Sequence, residues 1–146
     1  PENLVDEVFA YGNKICLGDS NFNNNDYIVS ILKFKNGMLG KFSVNLGCVY
    51  PHFHRLSVYG TGATIENDYD YAKLYKMFDP SKEYELIKSE YPGVDKGDLI
   101  ENFIDAIKND KEPQISKKEI FNSMSICFAI EESMQTGKIK KVQYLY

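Results

Sequence analysis

The densest group of side chains able to do chemistry is Tyr50-Pro51-His52-Phe53-His54-Arg55, with Cys48 just upstream. An imidazole can donate, accept or ligate a metal, a phenol can donate and accept, and a guanidinium can grip a phosphate or carboxylate with two parallel bonds. His52 and His54 stand at i and i+2, which puts both rings on one face if the backbone is extended. Three readings stay open. Cys48, His52 and His54 form a cluster with metal-ligand chemistry. Yet a structural zinc site takes four ligands and a catalytic one three plus water, and Cys16 and Cys127 belong to other elements. In the second reading the histidines hydrogen-bond a ligand or partner, and in the third they are ordinary loop residues. Tyr50, His52, His54 and Arg55 are therefore the candidate binding residues, on a strand connection where such residues tend to lie. No metal site is assigned.

Gly60-Thr61-Gly62-Ala63-Thr64-Ile65 matches the opening of a dinucleotide fingerprint. That fingerprint needs a third glycine and a following helix, so that phosphate meets a helix N-terminus. Ile65 stands at the third position and the continuation reads as a strand, so the segment is expected to be a hairpin turn. The chain contains no G-x-S-x-G, no H-E-x-x-H and no phosphate loop. Glu131-Glu132 reads as a solvated helix face. No residue is assigned a catalytic or cofactor-binding role.

The elements that must position these residues centre on Tyr27 to Asn67. Two reversals, Asn36-Gly37 and Gly60-Thr61-Gly62, are flanked by β-branched, aromatic and aliphatic residues. Asn-Gly between apolar runs predicts a hairpin with a type I′ turn. Phe42, Val44, Leu46, Cys48 and Tyr50 share one parity, the pattern of a half-buried strand. The stretch is expected to be one antiparallel meander. Residues 4–17 predict a first strand, with a bulge at Gly12-Asn13, and Asp19 to Asn25 a polar loop. Tyr69 to Phe78 and Tyr84 to Ser89 predict two more strands about a turn at Asp79-Pro80-Ser81. Asp98 and Glu101 form a capping-box pattern ahead of Leu99, Ile100, Phe103, Ile104 and Ile107, with the helix fading near Asn109-Asp110. Ser116 and Glu119 form a second box. It opens a helix over Lys117 to Thr136, with Ile120, Phe121, Met124, Cys127, Phe128 and Met134 as its apolar residues and Gly137 at its end. Residues 140–146 read as a last strand.

These 146 residues suffice for one domain, and such a chain buries about 68–70% of its unfolded surface. A net charge of −4 argues against a nucleic-acid surface, which would need a basic stripe. No apolar run is long enough for a membrane span, and the start lacks a signal-peptide pattern. Three separated cysteines argue against a disulfide framework and for a reducing cytoplasm. Strand 27–34 is apolar on both parities, and so is 69–78. Helices cover one face of a sheet, so the other face calls for a cover, most simply a second copy of the chain.

In order and spacing the motifs are similar to those of a known family. Glu101-Asn102-Phe103, Ala106-Ile107, Glu112-Pro113 and Glu132-Ser133-x-x-Thr136-Gly137 follow one another. They are preceded by Phe34-x-Asn36-Gly37-x-x-Gly40 and Leu56-x-Val58-Tyr59-Gly60-Thr61-x-Ala63-Thr64. From about Val5 to Val142 the chain resembles the C-terminal domain of the glucose–fructose oxidoreductase / inositol dehydrogenase / rhizopine catabolism (Gfo/Idh/MocA) family. The resemblance implies an α+β fold: an open, mostly antiparallel sheet, two main helices packed on one face, and the other face available for oligomerisation. It implies one domain, residues 1–146, of a longer two-domain enzyme that uses NAD or NADP on a sugar, nucleotide sugar or cyclitol. The N-terminal Rossmann domain, the Glu-Lys-Pro lysine and the family's catalytic histidine have no counterpart in this sequence, so the chain alone is expected to bind no cofactor and to be inactive. The expected partners are a sugar-type substrate and further copies of the chain in a dimer or tetramer, with neither nucleic acid nor membrane. Pro51 to His54 resembles a subgroup acting on nucleotide sugars. The alternative is a non-catalytic, dimerising binding or scaffold module.

Overall fold

The computed structural model describes residues 3–18, 21–79, 81, 83–88 and 97–145. In chain order the elements are β1 (Val5–Asn13), β2 (Tyr27–Phe34), β3 (Leu39–Asn45), β4 (Ser57–Tyr59), β5 (Thr64–Asn67), β6 (Ala72–Tyr75), β7 (Glu85–Ile87), α1 (Asp98–Lys108), α2 (Lys117–Thr136) and β8 (Lys140–Lys141). Among the described residues all strand pairs are antiparallel, in two four-stranded sheets ordered β3-β2-β1-β8 and β4-β5-β6-β7. The α+β class with antiparallel sheets is as expected. The strands, however, divide between two sheets, and the expected single meander over 27–67 ends at Asn45. The chain correspondingly forms two compact units, residues 1–49 with 112–146, and residues 50–111. Among the described residues no helix is long and apolar enough to cross a membrane.

In the first unit α2 is seated on β1 and β8. Val5, Val8 and Ala10 of β1 are buried with Ala129 and Ile130 of α2 and with Val142, and Ile28, Leu32, Phe34, Ile126, Met134 and Tyr144 pack around them. The expected apolar stripe of α2 mixes its two faces. Ile120, Met124 and Phe128 are exposed, while Ser125, Ala129, Ile130 and Ser133 are buried. The two buried serines satisfy their hydroxyls, Ser125 on the Phe121 carbonyl at 2.8 Å and Ser133 on the Lys138 carbonyl at 2.7 Å. Small side chains here bring helix and sheet close: a Cβ on Gly12 would stand 2.6 Å from the Met134 Sδ. Gly12 and Asn13 pair regularly with Ile28 and Tyr27, and the register shift falls at Val5/Glu7 instead.

β1 ends at Asn13 rather than near Leu17 because a buried carboxylate competes for the backbone. Asp26 accepts from Ile15 N at 3.2 Å and Leu17 N at 2.8 Å. Burial alone would raise the Asp26 pKa. The Leu17, Cys16 and Ile15 N–H groups and the Cys16 thiol outweigh it and hold the pKa below its ordinary value. The Asn36-Gly37 hairpin forms, with a different turn from the one expected. Among the non-glycine residues described only Asp110 has positive φ, whereas type I′ would need it at Asn36. Gly37 N donates to Phe34 O at 2.9 Å, Phe34 N donates to Met38 O at 2.9 Å, and Gly37 sits at φ 88°. This is a three-residue loop closed by a left-handed glycine.

α2 spans Lys117–Thr136 as its caps predict: Ser116 and Glu119 bond reciprocally, and Gly137 closes the helix at φ 64°. α1 differs at its start. Its N-cap is Gly97 without a side-chain bond, and Asp98 is already helical, so the first capping box does not form. Its end is built by Asp110 at φ 51° and by Lys111 N donating to Ala106 O at 2.9 Å. Ala106 is the one buried residue of α1, while Leu99, Ile100, Phe103, Ile104 and Ile107 are exposed. The last strand is shorter than expected, Lys140–Lys141, on Val8 and Glu7. Asp19, Ser20, Pro80 and Ser89, parts of the expected loop, turn and strand, lie outside the described residues.

Candidate functional site

The second unit carries the segment Tyr50 to Arg55. It precedes β4 as irregular backbone, since Pro51 lacks an N–H and cannot join a ladder. Its anchor is Asn67 at the end of β5, whose side chain donates to His54 O at 2.9 Å and accepts from Leu56 N at 2.6 Å. Asn67 N also donates to Leu56 O at 3.0 Å.

Tyr69 is the second anchor, and sequence reasoning treated it only as a strand residue. Its ring lies 4.4 Å from that of Phe53 and 6.5 Å from that of Tyr50, and its hydroxyl donates to Pro51 O at 3.3 Å. Burial, followed by the neighbouring Tyr50 phenol, pushes the Tyr69 phenol above its ordinary pKa. Tyr69 lies inside the reversal between β5 and β6, where Asp68 N donates to Tyr71 O at 2.7 Å and the strand is confined to Ala72–Tyr75, and no spacing in the sequence signalled this.

The four candidates come together as two adjoining pairs. His52 Nε2 and His54 Nε2 are 3.2 Å apart, one donating and the other accepting, with rings at 85°. Arg55 Nη2 donates to Tyr50 Oη at 3.2 Å, and its guanidinium lies 5.9 Å from the Phe53 ring centroid. All four residues are exposed. The result is an open patch of imidazole, phenol and guanidinium above a packed aromatic base. Such a patch can bond hydroxyls and pair with an anion. The Cys48 thiol, in the first unit, lies 3.9 Å from Asn45 O. Among the described residues no group of three or more His, Cys, Asp or Glu side chains converges.

Gly60 to Gly62 is a hairpin turn. Gly60 N donates to Ala63 O at 3.0 Å, Tyr59 pairs with Thr64, and β5 follows directly. Among the described residues a strand and not a helix follows it, so this turn does not fit a dinucleotide pyrophosphate. The helix starts are equally unsuited. The first turn of α1 carries Asp98 and Glu101, and Glu119 already occupies the start of α2.

Residues 3–143 match the model of the oxidoreductase family, C-terminal alpha/beta domain (Gfo/Idh/MocA). The chain belongs to this family. None of the curated proteins matches it by sequence. Among solved structures it is similar to levoglucosan dehydrogenase in complex with NADH, at 15% identity and TM-score 0.76, covering 97% of this chain and 46% of that one. An oxidoreductase domain protein from Kribbella flavida is similar at 15% identity and TM-score 0.75, covering 97% and 45%. The WlbA dehydrogenase from Bordetella pertussis, in complex with NADH and UDP-GlcNAcA, is similar at 18% identity and TM-score 0.59, covering 96% and 39%. At these identities the likeness is one of fold. The chain spans less than half the length of these proteins.

Proposed function

We propose that this chain is the C-terminal, substrate-binding and oligomerisation domain of a cytoplasmic NAD(P)-dependent dehydrogenase acting on a sugar, nucleotide sugar or cyclitol. The observation that carries the reading is the family match over residues 3–143. The cofactor belongs to a separate domain preceding Pro1, in keeping with the misfit of the Gly60–Gly62 turn and with the share of each related chain that is matched. Related structures hold NADH with levoglucosan or with UDP-GlcNAcA, which supports a substrate rich in hydroxyls.

In this reading Arg55 pairs with an anionic group of the substrate, and Tyr50, His52 and His54 bond its hydroxyls. The geometry favours a binding role for these side chains. Two ties of their loop are backbone carbonyls, His54 O to Asn67 and Pro51 O to Tyr69, which an alanine at 54 or 55 leaves in place. The oligomer forms through the face of the first sheet turned away from α2, where Phe9, Tyr11, Val29, Ile31 and Leu39 line up in register. Tyr11, Ile31 and Leu39 are exposed there.

The test uses the complete reading frame, with nicotinamide reduction followed across free sugars, cyclitols and nucleotide sugars. Absence of turnover on every class refutes the reading. His54→Ala and Arg55→Ala should each lower kcat/KM by roughly 1–3 kcal/mol with Tm unchanged. A lowered Tm with activity per folded molecule preserved would make them structural, and an unchanged kcat/KM would remove them from the site.

A further inference from the structure

We propose that His52 and His54 together chelate one late divalent transition-metal ion, of the Ni2+, Cu2+ or Zn2+ class. The two Nε2 atoms face each other at 3.2 Å. An ion held by two imidazole nitrogens at about 2.0–2.1 Å, with a near-tetrahedral angle, needs those nitrogens roughly 3.3 Å apart. The rings therefore already stand at chelating distance, nearly perpendicular at 85°. Binding an ion requires the ring that now donates from Nε2 to carry its proton on Nδ1 instead.

The backbone around the pair is held independently of the imidazoles. Phe53, between them in sequence, stacks on Tyr69 at 4.4 Å, and the His54 carbonyl is held by Asn67. The loop thus presents both rings together without a metal, so binding requires little ordering. Paired imidazoles suit Zn, Cu and Ni, while Mg and Ca ask for oxygen ligands. Since no third His, Cys, Asp or Glu joins the pair among the described residues, the ion's remaining positions are open to water or to an oxygen donor of a bound ligand. The sequence argument against a structural or catalytic zinc centre still holds, because a two-donor chelate asks for less. The inference rests on the two rings and is independent of the sugar reading.

The test is calorimetric titration of Ni2+ into tag-free protein in a buffer that does not coordinate metals. Cys16, Cys48 and Cys127 are exposed and would compete, so all three are changed to serine. If that variant is poorly folded, the same titration is run on protein whose thiols are blocked by alkylation. One equivalent of Ni2+ should bind, Mg2+ should not, and His52→Ala and His54→Ala should each weaken Ni2+ binding roughly tenfold or more. Cu2+ bound to the parent should show two nitrogen ligands by electron paramagnetic resonance, and one in either variant. Absence of saturable Ni2+ binding, or equal affinity in either single variant, overturns the proposal.

Discussion

Replacing Ser133 with alanine tests the account of how α2 is locked to its sheet. The Ser133 hydroxyl is fully buried, accepts from Ala10 N at 3.0 Å and donates to Lys138 O at 2.7 Å. β8 reaches only Glu7 and Val8 of β1, so beyond Val8 this hydroxyl stands in for the missing strand partner. Ser133→Ala leaves the Ala10 N–H buried without its partner, at a cost of roughly 1–3 kcal/mol, and strips one donor from the Lys138 carbonyl. The higher helix propensity of alanine returns about 0.5 kcal/mol. The expected net loss is about 2 kcal/mol, or a Tm lower by about 6–8 °C for a chain of this size. Ser125→Ala is the internal control. Its hydroxyl donates to Phe121 O, which keeps its helical N–H partner, so the loss should stay under about 0.5 kcal/mol. The assay is urea and thermal unfolding of the purified protein by circular dichroism. A Ser133→Ala loss below about 0.5 kcal/mol, or one equal to that of Ser125→Ala, would refute the reasoning.

Asp26 has a depressed pKa in the folded state, so its contribution is present above the ordinary aspartate value and is lost as pH falls through the folded one. Asp26→Asn should flatten the acid limb of the stability–pH curve; a limb identical to the parent's would count against the clamp on residues 15–17. Ile31→Glu places a carboxylate on the proposed subunit face, opposite Lys41 in β3, and should shift the protein toward monomer in sedimentation without loss of fold. An unaltered assembly state would remove that face from the interface. Titration of this chain alone with NAD(H) and NADP(H) should give no binding, and micromolar affinity would overturn the assignment of the cofactor to a preceding domain.

The elements whose reasons are local were legible in the sequence. α2 carries its own start and stop in Ser116, Glu119 and Gly137, whose bonds close within a turn, so its bounds needed nothing from the rest of the chain. The Asn36-Gly37 and Gly60–Gly62 reversals were legible for the same reason, and so was the grouping of Tyr50, His52, His54 and Arg55, which follows from adjacency. The features decided by partners far along the chain were not. β1 stops at Asn13 because the carboxylate of Asp26 takes the next N–H groups. The inner face of α2 mixes Ser125, Ala129 and Ser133 with Ile126, Ile130 and Met134, while Ile120, Met124 and Phe128 stay outside, because Ala10 and Gly12 across the interface reward close approach and a hydroxyl. Tyr69 became part of the candidate site through ring packing on Phe53, which no spacing encodes. Sequence determined which backbone could close its own hydrogen bonds. Tertiary structure decided which distant groups would satisfy the remainder.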